Sequence, residues 1–366
     1  MSQRLVAALV AAPLIVALFV YALLNPLPYA TYQPGTTVDV LGSDPDNGGA
    51  EVIQVAGHKT YRDDGQLRMT TVRVSPPAPP GGDEGENLFG LLGVWFDGDN
   101  AVLPYDDVHE PDDTPEKSRA EGQVQMTTSQ DAAIEVALSE MGIDVPQVIQ
   151  VGALIKGLPA SKVLEVGDVI RTVDGTSVDD ADKLVDLITT RPAGKPLTIG
   201  ITRSGKDRDV AITPVAQGGR TLIGITPVVA DYDFPFEVKI NISPQIGGPS
   251  AGLIFSLAVY DTLTKGSLTG GHEIAGTGEI APDGTVGPIG GIQQKIAGAR
   301  EDGADLFIVP IDNCDEALGA DNGDMRLMMA QTMHDVRTSL EAYAADEDAP
   351  LPSCQDADKI LKKAAR

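Results

Sequence analysis

Residues 5–24 read LVAALVAAPLIVALFVYALL, twenty residues without a charge. As a helix such a run satisfies its own backbone hydrogen bonds and rises about 30 Å, the depth of a bilayer's hydrocarbon core. It predicts a transmembrane signal anchor over 1–25, with Pro13 as a tolerated kink. Arg4 precedes the run and Asp39 is the next charge after it. The positive-inside rule then places the N-terminus in the cytoplasm and the bulk of the chain outside, giving a single-pass protein of the cell membrane. A cleaved signal peptide is the competing reading. The run is longer than an ordinary signal core, and no clear A-x-A site follows it.

The chain as a whole is acidic. Asp and Glu number 53 against 27 Lys and Arg, a net charge of −26. That balance opposes a broad basic face, so no nucleic-acid partner is expected. The two cysteines, Cys314 and Cys354, form no CxxC pair, which argues against a zinc or thioredoxin-like site; no metal or cofactor is expected. In an oxidising compartment they can close one disulfide from the C-terminal tail to the preceding domain, a geometry that sequence does not fix.

The pattern after the anchor predicts an α+β multidomain chain. Residues 26–124 read as a linker and a small β-rich region, with short strands at 38–42, 51–57 and 67–75 and a Pro/Gly-rich loop at 75–86. NLFGLLGVWF (87–96) is an apolar patch with the one tryptophan, Trp95, suited to packing or to contact with a membrane or a neighbouring subunit. Residues 106–123 read as polar and exposed. Ser129 caps a helix that runs through Met141. A strand at 145–152, a strand and Asp174-Gly175 turn within 164–178, a helix at 180–191 and a hairpin at 196–215 follow.

Within that stretch, GLPASKVLEVGDVIRTVDGTSV resembles the circularly permuted bacterial PDZ domain, over 125–216. The resemblance implies peptide binding by strand addition to a sheet edge. Val148, Ile149 and Val151 would then belong to the receiving strand, and Gly142 and Ile143 to the approach to a carboxylate loop. A spacer that binds nothing is the alternative, because fold alone does not establish binding.

The last large unit, 221–345, is followed by a tail at 346–366. FEVKINISPQIGGPSAGLIFSLAVYDTLT reads as strand, tight turn and helix, with Ser250 at the helix start. Free N–H groups at a helix N-terminus stabilise developing negative charge, and small neighbours admit a substrate backbone. Gly248, Pro249 and Ala251 form the turn and oxyanion region of this reading. A serine there can also be a simple N-cap. Further on, GTGEIAPDGTVGPIGGIQQKIAGAREDGADLFIVP carries Lys295 on a helix. A buried lysine with a lowered pKa can serve as the base for a serine, although most lysines lie on the surface.

Gly-Pro-Ser-Ala-Gly (248–252), Thr-Gly-Glu-Ile (277–280) and Gly-x-Val-x-x-Ile-Gly-Gly-Ile-x-x-Lys (284–295) together resemble the proteolytic domain of Lon proteases, over about 120 residues. The resemblance implies Ser250 as nucleophile, Lys295 as general base and Thr277 as the residue that orients the lysine. It also implies peptide-bond hydrolysis through an acyl-enzyme, and self-association. Two departures stand out. The acidic residue that Lon proteases usually carry three positions before the serine is Gly247 here. No G-x-x-x-x-G-K-[ST] run exists, so the expected activity is independent of ATP and directed at unfolded or exposed segments of protein substrates. The whole order resembles membrane-anchored PDZ/Lon-like proteins. A PDZ unit beside a serine protease also suggests the HtrA class, but His58, His109, His272 and His334 fall in no triad motif. The other class is a non-enzymatic peptide-binding scaffold on a decayed protease fold.

Overall fold

The computed structural model describes residues 3–44, 47–77 and 85–364, with side chains of the first helix from Leu9 onward. The centre of the loop expected at 75–86, residues 78–84, lies outside the described residues. Gln3–Leu24 forms one helix containing Pro13. The transmembrane anchor expected there is overturned: among the described residues no helix is long and apolar enough to cross a membrane. The single-pass topology, the cell-membrane location and the fold class that included them fall with it.

The described chain divides into two compact units, Met1–Glu140 with Val238–Arg366, and Met141–Glu237. The second therefore interrupts the sequence of the first. In the first unit a six-stranded sheet runs in the order Arg326–Ala330, Leu306–Pro310, Glu273–Gly276, Gln66–Val74, Tyr29–Asp39, Ala101–Pro104. The strands of 26–124, which read locally as a small region of their own, supply half of it. Gln66–Val74 pairs in parallel with Glu273–Gly276 on one side and antiparallel with Tyr29–Asp39 on the other. Its Leu67 and Met69 are fully buried, so the core of this unit depends on a strand far upstream of the serine.

Three helices frame the sheet's working end. Gly252–Leu263 is buried on nearly every side and packs along Pro115–Glu140. Ile292–Glu301 lies over Tyr29–Asp39 and Gln66–Val74. Gly291 caps that last helix in the left-handed region, at φ 69°. A Cβ there would meet Val72 at 2.9 Å and Tyr32 at 3.0 Å, so glycine satisfies both the dihedral and the close approach.

Cys314 and Cys354 are joined by a disulfide across a sequence separation of 40. It sits in the apolar cluster that includes Ile292, Ile296 and Phe307. Replacing both cysteines by alanine is expected to lower stability by about 3–4 kcal/mol, the chain-entropy value for a loop of this length. Denaturant unfolding of the oxidised protein and the double variant checks this, and equal stabilities would contradict it.

The second unit holds a sheet in the order Lys206–Ile212, Leu197–Arg203, Val169–Val173, Gln147–Leu154, Ile225–Tyr232. Ser204 and Gly205, at φ 50° and 70°, close its hairpin. Positive φ at both central positions gives the local twist a two-residue hairpin needs. Asp180 caps the helix Ala181–Thr189 by accepting from the Lys183 N–H at 2.6 Å. Leu184 and Ile188 of that helix pack with Ile149, Val151, Ile170 and Ile199 of the sheet.

Candidate active site and peptide groove

Three elements converge on one hydroxyl. Gly247-Gly248-Pro249 turns the chain into the helix Gly252–Leu263, with Ser250 just before its Ala251 cap. Gly248 has φ 93° and open space where a Cβ would be. Thr277 follows the strand Glu273–Gly276, and Lys295 lies in the first turns of Ile292–Glu301. Lys295 Nζ donates to Ser250 Oγ at 2.8 Å and to Thr277 Oγ1 at 2.9 Å. Thr277 Oγ1 in turn donates to the Ser250 carbonyl at 2.8 Å, and the Gly278 N–H reaches the same carbonyl at 2.8 Å. The serine's main chain is thereby fixed from the strand side, and its side chain faces the lysine.

Lys295 is 2% exposed and Thr277 is fully buried. Burial pushes the Lys295 ammonium down to about 7, while the Glu279 carboxylate acts in the opposite direction. A lysine in that range holds a substantial neutral fraction at physiological pH, and a neutral amine can accept a proton from a serine hydroxyl.

The turn residues divide sharply. The Gly248 N–H donates to the Gly122 carbonyl at 2.8 Å, and Pro249 has no N–H. Of the three turn positions, only Ala251 can aim an N–H at an oxyanion. Among the described residues neither the Ser250 nor the Ala251 N–H has a protein acceptor, as expected for the first groups of a helix.

Residues 106–123, read from sequence as polar and exposed, include the start of a long helix. It begins at Pro115, not at Ser129. The Lys117 N–H reaches Thr114 Oγ1 at 3.2 Å, so Thr114-Pro115 was the available signal: a capping hydroxyl followed by proline at the first helical position. Ser129 is a buried mid-helix residue, and its hydroxyl donates to the Pro249 carbonyl at 3.0 Å. The four histidines lie elsewhere. His58 approaches Lys59 O and His109 approaches Ser75 O. His272 packs against Tyr343 with the rings tilted, and His334 pairs with Glu140.

In the second unit, Val148, Ile149 and Val151 lie on Gln147–Leu154, which is paired with Val169–Val173 on one side and Ile225–Tyr232 on the other. That strand has no open edge, so an added peptide cannot pair there without displacing a neighbour. Gly142, at φ 76°, and Ile143 lie in the turn that precedes it. Among the described residues the edge strand next to them is Ile225–Tyr232. Beside it runs an apolar groove lined by Leu184, Val185 and Ile188 of the helix and by Ile223, Gly224 and Pro227. Val228 and Val229 on this edge are 42% and 36% exposed. Sequence reasoning missed the edge because it stopped at 216, before the strand that closes the sheet.

Comparison with known proteins finds two matching domains. Residues 241–340 match the Lon protease (S16) C-terminal proteolytic domain, and residues 123–213 match the PDZ domain. A Lon protease of Campylobacter concisus is 31% identical over 129 residues, 34% of this chain and 16% of that protein. A Lon protease of Desulforamulus reducens is 32% identical over 157 residues, 40% of this chain and 18% of that protein. The matches thus span under a fifth of either relative's length. The solved PDZ domain of an SdrC-like protein from Listeria monocytogenes is 27% identical, covering 22% of this chain and 88% of that one, with a TM-score of 0.22.

Proposed function

We propose that this chain, which carries the proteolytic domain of an S16 serine peptidase together with a PDZ domain, is an endopeptidase working through a Ser250–Lys295 dyad. The observation that supports this best is the 2.8 Å contact of a buried Lys295 Nζ with Ser250 Oγ. In the proposed reaction Ser250 Oγ attacks the scissile carbonyl carbon, and its proton passes to neutral Lys295. The N–H groups of Ser250 and Ala251 receive the developing oxyanion. Lys295 then hands the proton to the departing amine, leaving an ester on Ser250. Water attacks that ester, Lys295 again takes the proton, and the carboxylic product and Ser250 hydroxyl are released. Thr277 holds the amine in line. No step consumes a nucleotide, so the hydrolysis is ATP-independent and suits unfolded or exposed segments.

The pH dependence tests the base. Only the neutral amine accepts a proton, so protonation removes activity. With Lys295 lowered to about 7, kcat/KM on a short peptide is expected to rise through about that pH and level off above it. A profile flat across that range would eliminate Lys295 as the base.

Substrate recruitment is assigned to the edge strand Ile225–Tyr232 and its groove. An exposed apolar edge is a ready template for an added strand. Val185 lines the groove and is 44% exposed, so a charge there blocks binding without disturbing the core. Val185→Asp is expected to raise KM for an unfolded protein substrate about tenfold, roughly 1.4 kcal/mol, with little effect on a short unanchored peptide. Equal losses on both substrates would rule out recruitment through this groove.

A further inference from the structure

The helix Pro115–Glu140 touches the nucleophile's turn at three points. The Gly248 N–H donates to Gly122 O at 2.8 Å, Ser129 Oγ to Pro249 O at 3.0 Å, and Gln123 Nε2 to Pro244 O at 3.2 Å. Gly122 sits inside the helix, where glycine is a weak helix former. Opposite it stands Gly247. A Cβ on Gly247 would lie 3.1 Å from Gly122 C and 3.2 Å from Gly122 Cα and O. All three are backbone atoms of a packed helix and have little freedom to yield. Gly247 does not have a left-handed φ, so space, not dihedral preference, favours glycine there. The requirement is one-sided: a Cβ on Gly122 would stand 3.6 Å from Gly247 Cα, an ordinary contact.

The geometry points to the helix Pro115–Glu140 as a positioning element for the nucleophile. It restrains the serine turn through main-chain contacts at 248 and 249. Gly122 and Ser129 act on Ser250 through the turn and do not touch substrate. The inference rests on Ser250 being the nucleophile. A Cβ at 247 would need the helix or the turn to give by a few tenths of an ångström, so a side chain there is expected to lower activity.

The test uses the full chain and the variants Gly247→Ala, Gly247→Asp and Ser129→Ala. Val124→Ala, on an exposed position of the same helix, is the control, and Ser250→Ala is the reference for the chemistry. Hydrolysis of a short peptide, thermal midpoints and amide exchange of a segment containing Gly248 are measured together. Both Gly247 variants are expected to lose about tenfold in kcat, below the roughly 100-fold cost of a full ångström of misplacement, because the turn need shift by only a few tenths of an ångström. KM should move less than about twofold, because uniform binding is untouched. Ser129→Ala should lose about tenfold, in the same direction, and decides the matter if the Gly247 variants do not fold. In each case Gly248 exchange accelerates while the sheet stays protected. Unchanged kcat, or unchanged Gly248 exchange, would overturn the positioning role. A kcat loss that follows a general fall in thermal midpoint, with exchange accelerated throughout the unit, would reduce the contacts to stability and overturn it as well. Hydrolysis surviving Ser250→Ala would instead overturn the Ser–Lys reading, and the Gly248 exchange rate then decides the helix–turn contact separately.

Discussion

Alanine at Ser250 or at Lys295 is expected to lower kcat on a short peptide by about 10⁴–10⁶-fold, and the double replacement no further. The two groups act as one unit: the hydroxyl is a weak nucleophile without the amine, and the amine has nothing to deprotonate without the hydroxyl. Lys295→Met adds a readout that separates chemistry from folding. Lysine is 2% exposed at this site, and its folded pKa, about 7, lies below the reference value of 10.5. Between those values the unfolded chain binds the extra proton, so stability rises with pH across that window and the penalty is complete below about 7. Methionine removes both the proton and the penalty. The variant is therefore expected to be inactive yet more stable at neutral pH, with a flatter pH dependence of stability from about 7 to 10. Near-normal cleavage by Lys295→Met would eliminate the dyad, as would losses that multiply in the double variant.

A fragment limited to 221–345, the stretch that reads as the proteolytic domain, is expected not to fold. It lacks three of the six strands of its own sheet, including the central Gln66–Val74. Leaving Glu273–Gly276 without that neighbour strips one side of its backbone pairing and exposes the residues that Leu67 and Met69 cover, an effect far larger than the stability of a typical domain can absorb. Replacing 141–237 by a flexible linker is expected to have the opposite result. That segment is a compact unit of its own, so the remainder should fold and cleave short peptides. Circular dichroism and peptide hydrolysis read both. A folded, active 221–345 fragment, or an unfolded linker variant, would contradict this division.

The candidate site was more legible than the architecture. Ser250, Thr277 and Lys295 each stand in a short motif, and the structure brings the three within hydrogen-bonding reach. The helix Ala181–Thr189 and the Ser204-Gly205 hairpin were legible for a different reason: a cap, an amphipathic face and a two-residue turn are local signals. Sheet partnership is not local. Nothing in QLRMTTVRV announces that it pairs with Glu273–Gly276. The open edge of the second unit was misplaced for the same reason, since Gln147–Leu154 looks like an edge until Ile225–Tyr232 arrives beside it. Gly122 and Gly247 leave no pattern of their own; each is one glycine among 40, and only their approach gives them meaning. The anchor read from the apolar run at 5–24 is not supported, since no helix among the described residues is long and apolar enough to cross a membrane.

The distance along the chain between Gln66–Val74 and its partner strand has a consequence for synthesis. The register joins Gln66 to Glu273, so at ordinary elongation rates the first strand leaves the ribosome about 10–40 s before the second. During that interval one of its edges has no native partner. The whole of Met141–Glu237 emerges meanwhile, and its early folding would shorten the disordered span that must later be closed, which eases the entropy of bringing the two strands together. The serine turn also emerges before Lys295, and neither is held in place until the sheet closes. The proposed Ser250–Lys295 pair therefore cannot come together on a nascent chain until most of it has been made.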